Sequence, residues 1–133
     1  MTEKQQQVLI QKYPKLLVQN SPAQHPFDQR GIEFDSGWDD LFDKLCSNIQ
    51  RYLDYNKELK QTTLAQGKEK FGSLTTYWDN TDDYIRGLVS MAQTISYGIC
   101  ERCGTNQNVT QNKKGWIKTW CKDCREEHNK EKI

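Results

Sequence analysis

No stretch of this chain approaches the roughly 18 consecutive apolar residues of a membrane-spanning helix. Its first residues, Met1 to Gln7, hold no apolar run of the kind a secretory signal requires. These absences lead to the expectation of a cytoplasmic protein without a membrane partner. Histidine is scarce, with only His25 and His128 in 133 residues. An enzyme needs positioned acid, base or nucleophile groups. The chain has no Ser nucleophile elbow, no phosphate-binding Gly loop and no zinc-protease helix pattern. No small-molecule substrate is evident, and the expectation is a protein that is not an enzyme. Neither sign of charge is in excess: 19 Lys and Arg stand against 18 Asp and Glu, which weighs against a general polyanion binder. Internal repeats and low-complexity runs are also missing.

What the chain does hold is patterning. Its 4 Trp, 6 Tyr and 4 Phe carry large areas to bury, enough with its length for one modest core. Thr2 is placed to cap a first helix over Glu3 to Tyr13, which Pro14 closes. Residues 18–35, with Pro22, Pro26 and Gly31, read as a loop or short extended segment. From Ser36-Gly37-Trp38 onward the pattern is clearer. Asp39 and Asp40 fall in a first helical turn, where the macrodipole favours carboxylates. Trp38, Leu41, Phe42, Leu45, Ile49 and Leu53 recur at steps of three and four, as on one face of a helix over 37–55. Cys46 beside this stripe reads as a small buried hydrophobe. Residues 62–78 are β-branched and aromatic, and predict two strands joined around Lys68-Glu69-Lys70-Phe71-Gly72. Thr81 is the expected cap of a second long helix over 82–97, with Tyr84, Ile85, Leu88, Val89, Ala92 and Ile95 on its apolar side and Gly98 at its end.

The strongest signal follows Gly98. Cys100-Glu101-Arg102-Cys103 and Cys121-Lys122-Asp123-Cys124 form two CxxC pairs separated by seventeen residues. A two-residue spacer aims both sulfurs of a pair at one ion, and two pairs complete a tetrahedron. This spacing falls in the known pattern of four-cysteine zinc sites. The prediction is one structural Zn2+ held by Cys100, Cys103, Cys121 and Cys124. All four ligands are protein sulfurs, so no position is open for a catalytic water. An iron–sulfur cluster with the same ligands is the rarer alternative. Gly104 suits the tight turn after Cys103. Val109-Thr110 and Trp116 to Trp120 suit two strands, with Asn112-Lys113-Lys114-Gly115 as the turn, so a zinc ribbon is expected. His128 reads as a solvated residue of a charged terminal helix rather than a ligand in place of one of the cysteines.

The fold class that results is α+β: two long helices and a short β-hairpin with a C-terminal four-cysteine zinc ribbon. We read residues 1–133 as a single domain, with 1–98 as the helical and hairpin core and 99–133 as the ribbon. From Tyr97 onward eight Lys or Arg face five Asp or Glu, and four thiolates with one zinc ion remove two charges from that surplus. The candidate partner-binding residues are Lys113, Lys114, Trp116, Lys118 and Trp120, with the two tryptophans alternating along a strand. Such a set can grip a protein or stack bases. Asp39, Asp40 and Asp43 read as the solvated face of their helix. An HNH-type nuclease also pairs CxxC motifs with His and Asn, but residues 104–120 contain no His, which leaves that reading remote.

Several motifs make the chain familiar: Lys12-Tyr13-Pro14; Ser36-Gly37-Trp38 leading to Leu41 and Leu45-Cys46; Lys68-Glu69-Lys70-Phe71-Gly72 before Leu74 and Tyr77; Cys100-Glu101-Arg102-Cys103-Gly104; and Gly115-Trp116-Ile117-Lys118-Thr119 before Cys121. In these it resembles an uncharacterised family of small zinc-ribbon proteins of tailed phages and bacterial prophages. The resemblance implies a phage-type protein acting in the host cytoplasm. The expected function is non-catalytic binding of a macromolecular partner, with a host or phage protein first and inhibition of a bacterial defence system as one example. An accessory nucleic-acid-binding ribbon is the alternative.

Overall fold

A computed structural model describes residues 2–18 and 32–131. The first helix, α1 (Glu3–Lys12), begins where expected. Thr2 and Gln5 form a reciprocal capping box, and the helix stops as Tyr13 leaves helical geometry one residue before Pro14. Tyr13 is buried and donates its hydroxyl to Asp43, which also pairs with Lys12. Asp43 therefore fastens α1 to the next helix instead of lying free on a solvated face. Beyond α1, Leu16 and Leu17 are fully buried and Leu16 accepts from the Leu64 amide at 2.8 Å. The stretch His25-Pro26-Phe27 lies outside the described residues.

A 3-10 turn, Ser36–Trp38, leads into α2 (Asp39–Tyr55). The three-and-four periodicity is realised: Leu41, Phe42, Leu45, Ile49 and Leu53 are buried along α2, and Trp38 is fully enclosed at its head. Strands β2 (Thr63–Lys70) and β3 (Ser73–Asp79) form the expected hairpin, with Phe71 and Gly72 alone as the turn. The hairpin is not isolated, however. Strand β1 (Ile32–Glu33) pairs in parallel with β2, Ile32 opposite Gly67, to give a three-stranded sheet. The second long helix, α3 (Asp83–Ser96), is capped by Asp82 rather than Thr81: the Asp82 carboxylate accepts from the Ile85 amide at 3.0 Å. A carboxylate in that position satisfies an unpaired amide and complements the helix dipole together.

Helix α3 packs on both α2 and β3. Between the layers Phe34, Trp38, Phe42 and Trp78 form a chain of aromatic contacts, with ring centroids 5.4 Å apart for Phe34 and Phe42 and 6.3 Å for Phe42 and Trp78. Cys46 is enclosed in the same cluster, and burial holds its thiol well above the ordinary cysteine range. It is packing material, not a nucleophile.

The C-terminal part corrects the expected ribbon. Strands β4 (Val109–Gln111) and β5 (Thr119–Cys121) pair antiparallel, and the helix α4 (Lys122–Glu131) follows β5 directly. Among the described residues the architecture is thus α+β with four α-helices, a three-stranded sheet and a two-stranded one, more than two long helices and a hairpin. Trp116 and Trp120 do not alternate along one strand, because β5 begins only at Thr119. Asn112 is the reason. Its amide donates to the carbonyls of Lys114 and Trp116, and its Oδ1 accepts from the Lys118 amide. A side chain that takes three backbone partners competes with strand pairing over those residues.

Candidate metal centre and its seam with the core

The first cysteine pair lies on a tight turn just after α3. Cys100 donates its amide to Thr105 and accepts from the amide of Gly104, which sits at φ +84°. The second pair is built differently. Cys121 ends β5 and Cys124 falls in the first turn of α4, where its amide points at the Cys121 sulfur at 3.4 Å. One turn, one hairpin and one helix N-terminus therefore converge. All four sulfurs lie within 4.8 Å of one another, with Cys103 and Cys121 at 3.7 Å. A tetrahedral site with metal–sulfur bonds of about 2.3 Å has sulfur–sulfur edges of about 3.8 Å. The donor set fits a metal ion on geometry.

It fits on electrostatics as well. Cys100, Cys121 and Cys124 are buried, while Cys103 is exposed. Burial works against the Cys100 thiolate, but backbone amides around it outweigh that and bring it down to about 7. Burial and the neighbouring sulfurs push Cys124 up. Four sulfurs this close do not all ionise without a cation among them. His128 is not part of the group. Its ring rests against Trp120, with centroids 4.8 Å apart, while its side chain stays 34% exposed, so it is no member of the sulfur cluster and only partly solvated.

The other predicted residues separate into two sets. Lys113, Lys114 and Trp116 lie exposed on the β4–β5 loop. Lys118 and Trp120 face inward. Lys118 pairs with Glu69 at 2.6 Å, and Trp120 is flanked by the guanidinium groups of Arg102 and Arg125 at 5.5 and 5.8 Å. Both arginines also bond backbone carbonyls of the same unit, at Cys124, Thr110 and Lys118. These side chains hold the metal module together.

The motifs that are scattered in the sequence meet in space. Gly37 donates its amide to the Glu101 carbonyl at 2.7 Å, and a Cβ placed there would stand 2.2 Å from the Cys100 oxygen and 2.3 Å from that of Glu101. No side chain fits that approach. Trp38 donates its indole N–H to the Ile99 carbonyl at 2.9 Å, and the buried Glu101 accepts from the Asp35 amide. On the other side of the module, Gly72 lies so close that its Cβ would meet Ile117 and Thr119 at 3.0 Å, and the Thr119 hydroxyl donates to its carbonyl. Glu69 accepts from the Gly72 amide, the Lys118 ammonium and the Trp116 indole. Burial raises its carboxyl, but these three donors outweigh it and hold the group below its ordinary value. The Gly37-Trp38 and Glu69 to Gly72 segments are thus contact points on two sides by which the core grips the metal module, and the Gln111 amide adds a bond to the Tyr97 carbonyl at 2.9 Å.

Above the second contact lies a cleft of about 480 Å³, mostly apolar in lining. Lys68, Lys70 and Phe71 form one wall; Gly115, Trp116 and Ile117 form the other. Phe71 is 70% exposed and Trp116 78%. Sequence reasoning missed Phe71, Lys68 and Lys70. The available signal was the type of residue at the turn: a phenylalanine where a two-residue hairpin turn demands positive φ. Comparisons with protein-family models, curated proteins and solved structures return no match for this chain.

Proposed function

We propose that this is a zinc-stabilised, non-catalytic binding protein that engages a macromolecular partner through the cleft between the β2–β3 turn and the β4–β5 loop. The observation that carries the reading is the pair Phe71 and Trp116: two large aromatic side chains, both mostly in solvent, on separate elements facing one cleft. Exposed aromatics of this kind act as binding anchors when their supports are rigid. Here their backbone supports are tied down. The indole N–H of Trp116 is tied to Glu69 and its loop to Asn112, while Phe71 sits in a two-residue turn.

Zinc is the metal of choice for a closed set of four thiolates, and in that set it contributes folding free energy rather than chemistry. The cysteine cluster holds the β4–β5 loop and hence Trp116. A phage-infected bacterium is the setting that the sequence resemblance suggests.

Two measurements test the reading. Elemental analysis of the purified protein should give one zinc per chain; iron in its place would change the metal, and no metal would remove the support of the module. A photo-crosslinking amino acid placed at position 71 or 116 should give adducts in producing cells, whereas one at Tyr55, which is 83% exposed at the end of α2, should not. Absence of adducts at both 71 and 116 would refute the assigned face.

A further inference from the structure

We infer that the cleft takes single-stranded nucleic acid, with bases stacked on Trp116 and Phe71 and the phosphate chain running along Lys68, Lys70, Lys113 and Lys114. The inference rests on the binding reading above and names its partner chemistry.

The first ground is local charge. The chain as a whole is balanced, at a net charge of +1, but the cleft is not. Its one lining carboxylate, Glu69, is fully occupied by Gly72, Trp116 and Lys118. Lys118 is therefore neutralised. Lys68 sits over the ring of Tyr77 and Lys70 donates to its hydroxyl, which leaves both charges in place. Lys113 and Lys114 have no carboxylate partner among the described residues. Two lysines of the cleft lining and two on the adjoining loop, none of them paired with an acid among the described residues, thus accompany two exposed aromatic rings. Protein-binding interfaces are rich in aromatics but depleted of lysine. Grooves that track a single strand use both, cations for the backbone and aromatic faces for successive bases.

The second ground is strain. Phe71 is held at φ +52° and Gly72 at +83°. Two positive values are what a tight hairpin turn requires, and Gly, Asn and Asp are the residues that take them easily. A bulky residue there is an outlier, and such outliers cluster at functional sites. Packing does not explain it, since the ring is mostly in solvent. The strained turn instead carries an aromatic face to the rim of the cleft.

The third ground is shape and polarity. A concave, apolar-lined site takes a planar ring turned out of a strand, and the base-paired edges of a duplex present no such ring. The amides of Asn112 and Gln111 are tied within the protein, so no free hydrogen-bonding fork reads base edges. Binding should be nearly indifferent to sequence.

The experiment uses the intact, zinc-loaded 133-residue chain and fluorescently labelled 12-mers of dT, of U and of a mixed duplex. The single strands should bind and the duplex at least tenfold more weakly. With four phosphates neutralised, affinity should fall about 50-fold between 50 and 200 mM salt. Trp116→Ala should weaken single-strand binding by about tenfold to a hundredfold. Trp116→Phe should recover much of that loss, while removing the quenching of tryptophan emission by the bound strand. Lys113→Ala with Lys114→Ala should roughly halve the logarithmic salt dependence at unchanged zinc content. Three outcomes overturn the inference: no binding of either strand at 50 mM salt, equal binding of the duplex, or affinity unmoved by Trp116→Ala and Phe71→Ala. Crosslinks at positions 71 and 116 that resist nuclease and yield only to protease also overturn it, and they leave the binding face itself standing with a protein as its partner.

Discussion

The two halves of this molecule are closed by different physics. The α+β core is shut by apolar side chains from each of its described elements, among them Leu16, Leu17, Trp38, Phe42, Ile49, Leu74 and Ile85. The metal module has almost none of this. Its buried cluster is Cys100, Cys121 and Cys124 with Val109 and Trp120 beside them. A segment of that size does not bury enough area to order itself. What can order it is a cation held by the four sulfurs at its centre, as proposed above, together with the seam with the core at its edge. The comparison teaches that the face we assign to binding is shared, with Phe71 on the core and Trp116 on the less self-sufficient half, and that each support can be removed separately.

The largest effect should come from the cation. Cys121→Ser, or a strong chelator, should release the metal and disorder residues from about Cys100 onward, because metal affinity in such a site is folding free energy. Amide NMR signals of the module should collapse while those of α1–α3 and the three-stranded sheet stay dispersed. If the core signals collapse with them, the halves are one cooperative unit and the comparison fails. Next comes the seam. Gly37→Ala forces a methyl group onto two backbone oxygens and should cost about 3 kcal/mol in urea unfolding. Gly87→Ala is the matched control. Gly87 lies inside α3 with nothing within 4 Å of the added carbon, so it should gain roughly 0.5–1 kcal/mol.

A smaller effect, and one with a pH signature, belongs to Glu69. Its carboxyl is held below the ordinary value of 4.5 in the folded chain, burial opposing and the Lys118, Gly72 and Trp116 donors prevailing. A group with a depressed folded pKa contributes stability that is complete above the unfolded value and is lost as pH falls through the folded one. Glu69→Gln should therefore cost about 1–2 kcal/mol at pH 7 in zinc-saturated protein. The gap between variant and parent should close as pH drops below 4.5. A gap that stays constant down to pH 3 would show that the amide's shape, not the lost charge, sets the difference.

How much of this was legible in the sequence follows the same division. The stripe of α2 and the CxxC pairs are local patterns with fixed periods, and both are where their spacing puts them. The four sulfurs could be assigned to one site without knowing the fold, because a two-residue spacer constrains geometry by itself. The seam could not. Gly37 and Cys100 are far apart in the chain, and nothing in either neighbourhood states that one backbone rests on the other. The same is true of Glu69 with Lys118, which turned a presumed surface lysine into the partner of a buried carboxylate. β1 was left open between loop and extended segment for a different reason: two residues are too few to show alternation. Asn112 is the instructive miss, since its three backbone bonds override the strand propensity of Trp116 and Ile117.

The smallest predicted change separates stability from function most cleanly. Phe71 occupies the first position of a two-residue hairpin turn at φ +52°, where asparagine is strongly preferred. Phe71→Asn removes a strained, solvent-exposed ring and gives the turn a residue that adopts the left-handed conformation readily. The core should become more stable by about 1 kcal/mol, a rise of about 4 °C in Tm for a domain of this size. Zinc content should not move, because Gly72 and its contacts with Thr119 and Ile117 are untouched. Retention of the partner in the cleft should nonetheless drop, since one of its two aromatic walls is gone. Thermal unfolding and a binding titration on the same preparation decide the matter. A stabilised variant that binds as well as the parent would mean that the ring at position 71 is incidental and that Trp116 works alone. A variant that is destabilised would mean that Phe71 packs in solution and that the strain is compensated by contacts of its own. The outcome expected from the geometry is opposite signs in the two measurements, the pattern of a residue held in place by the fold at the fold's own expense.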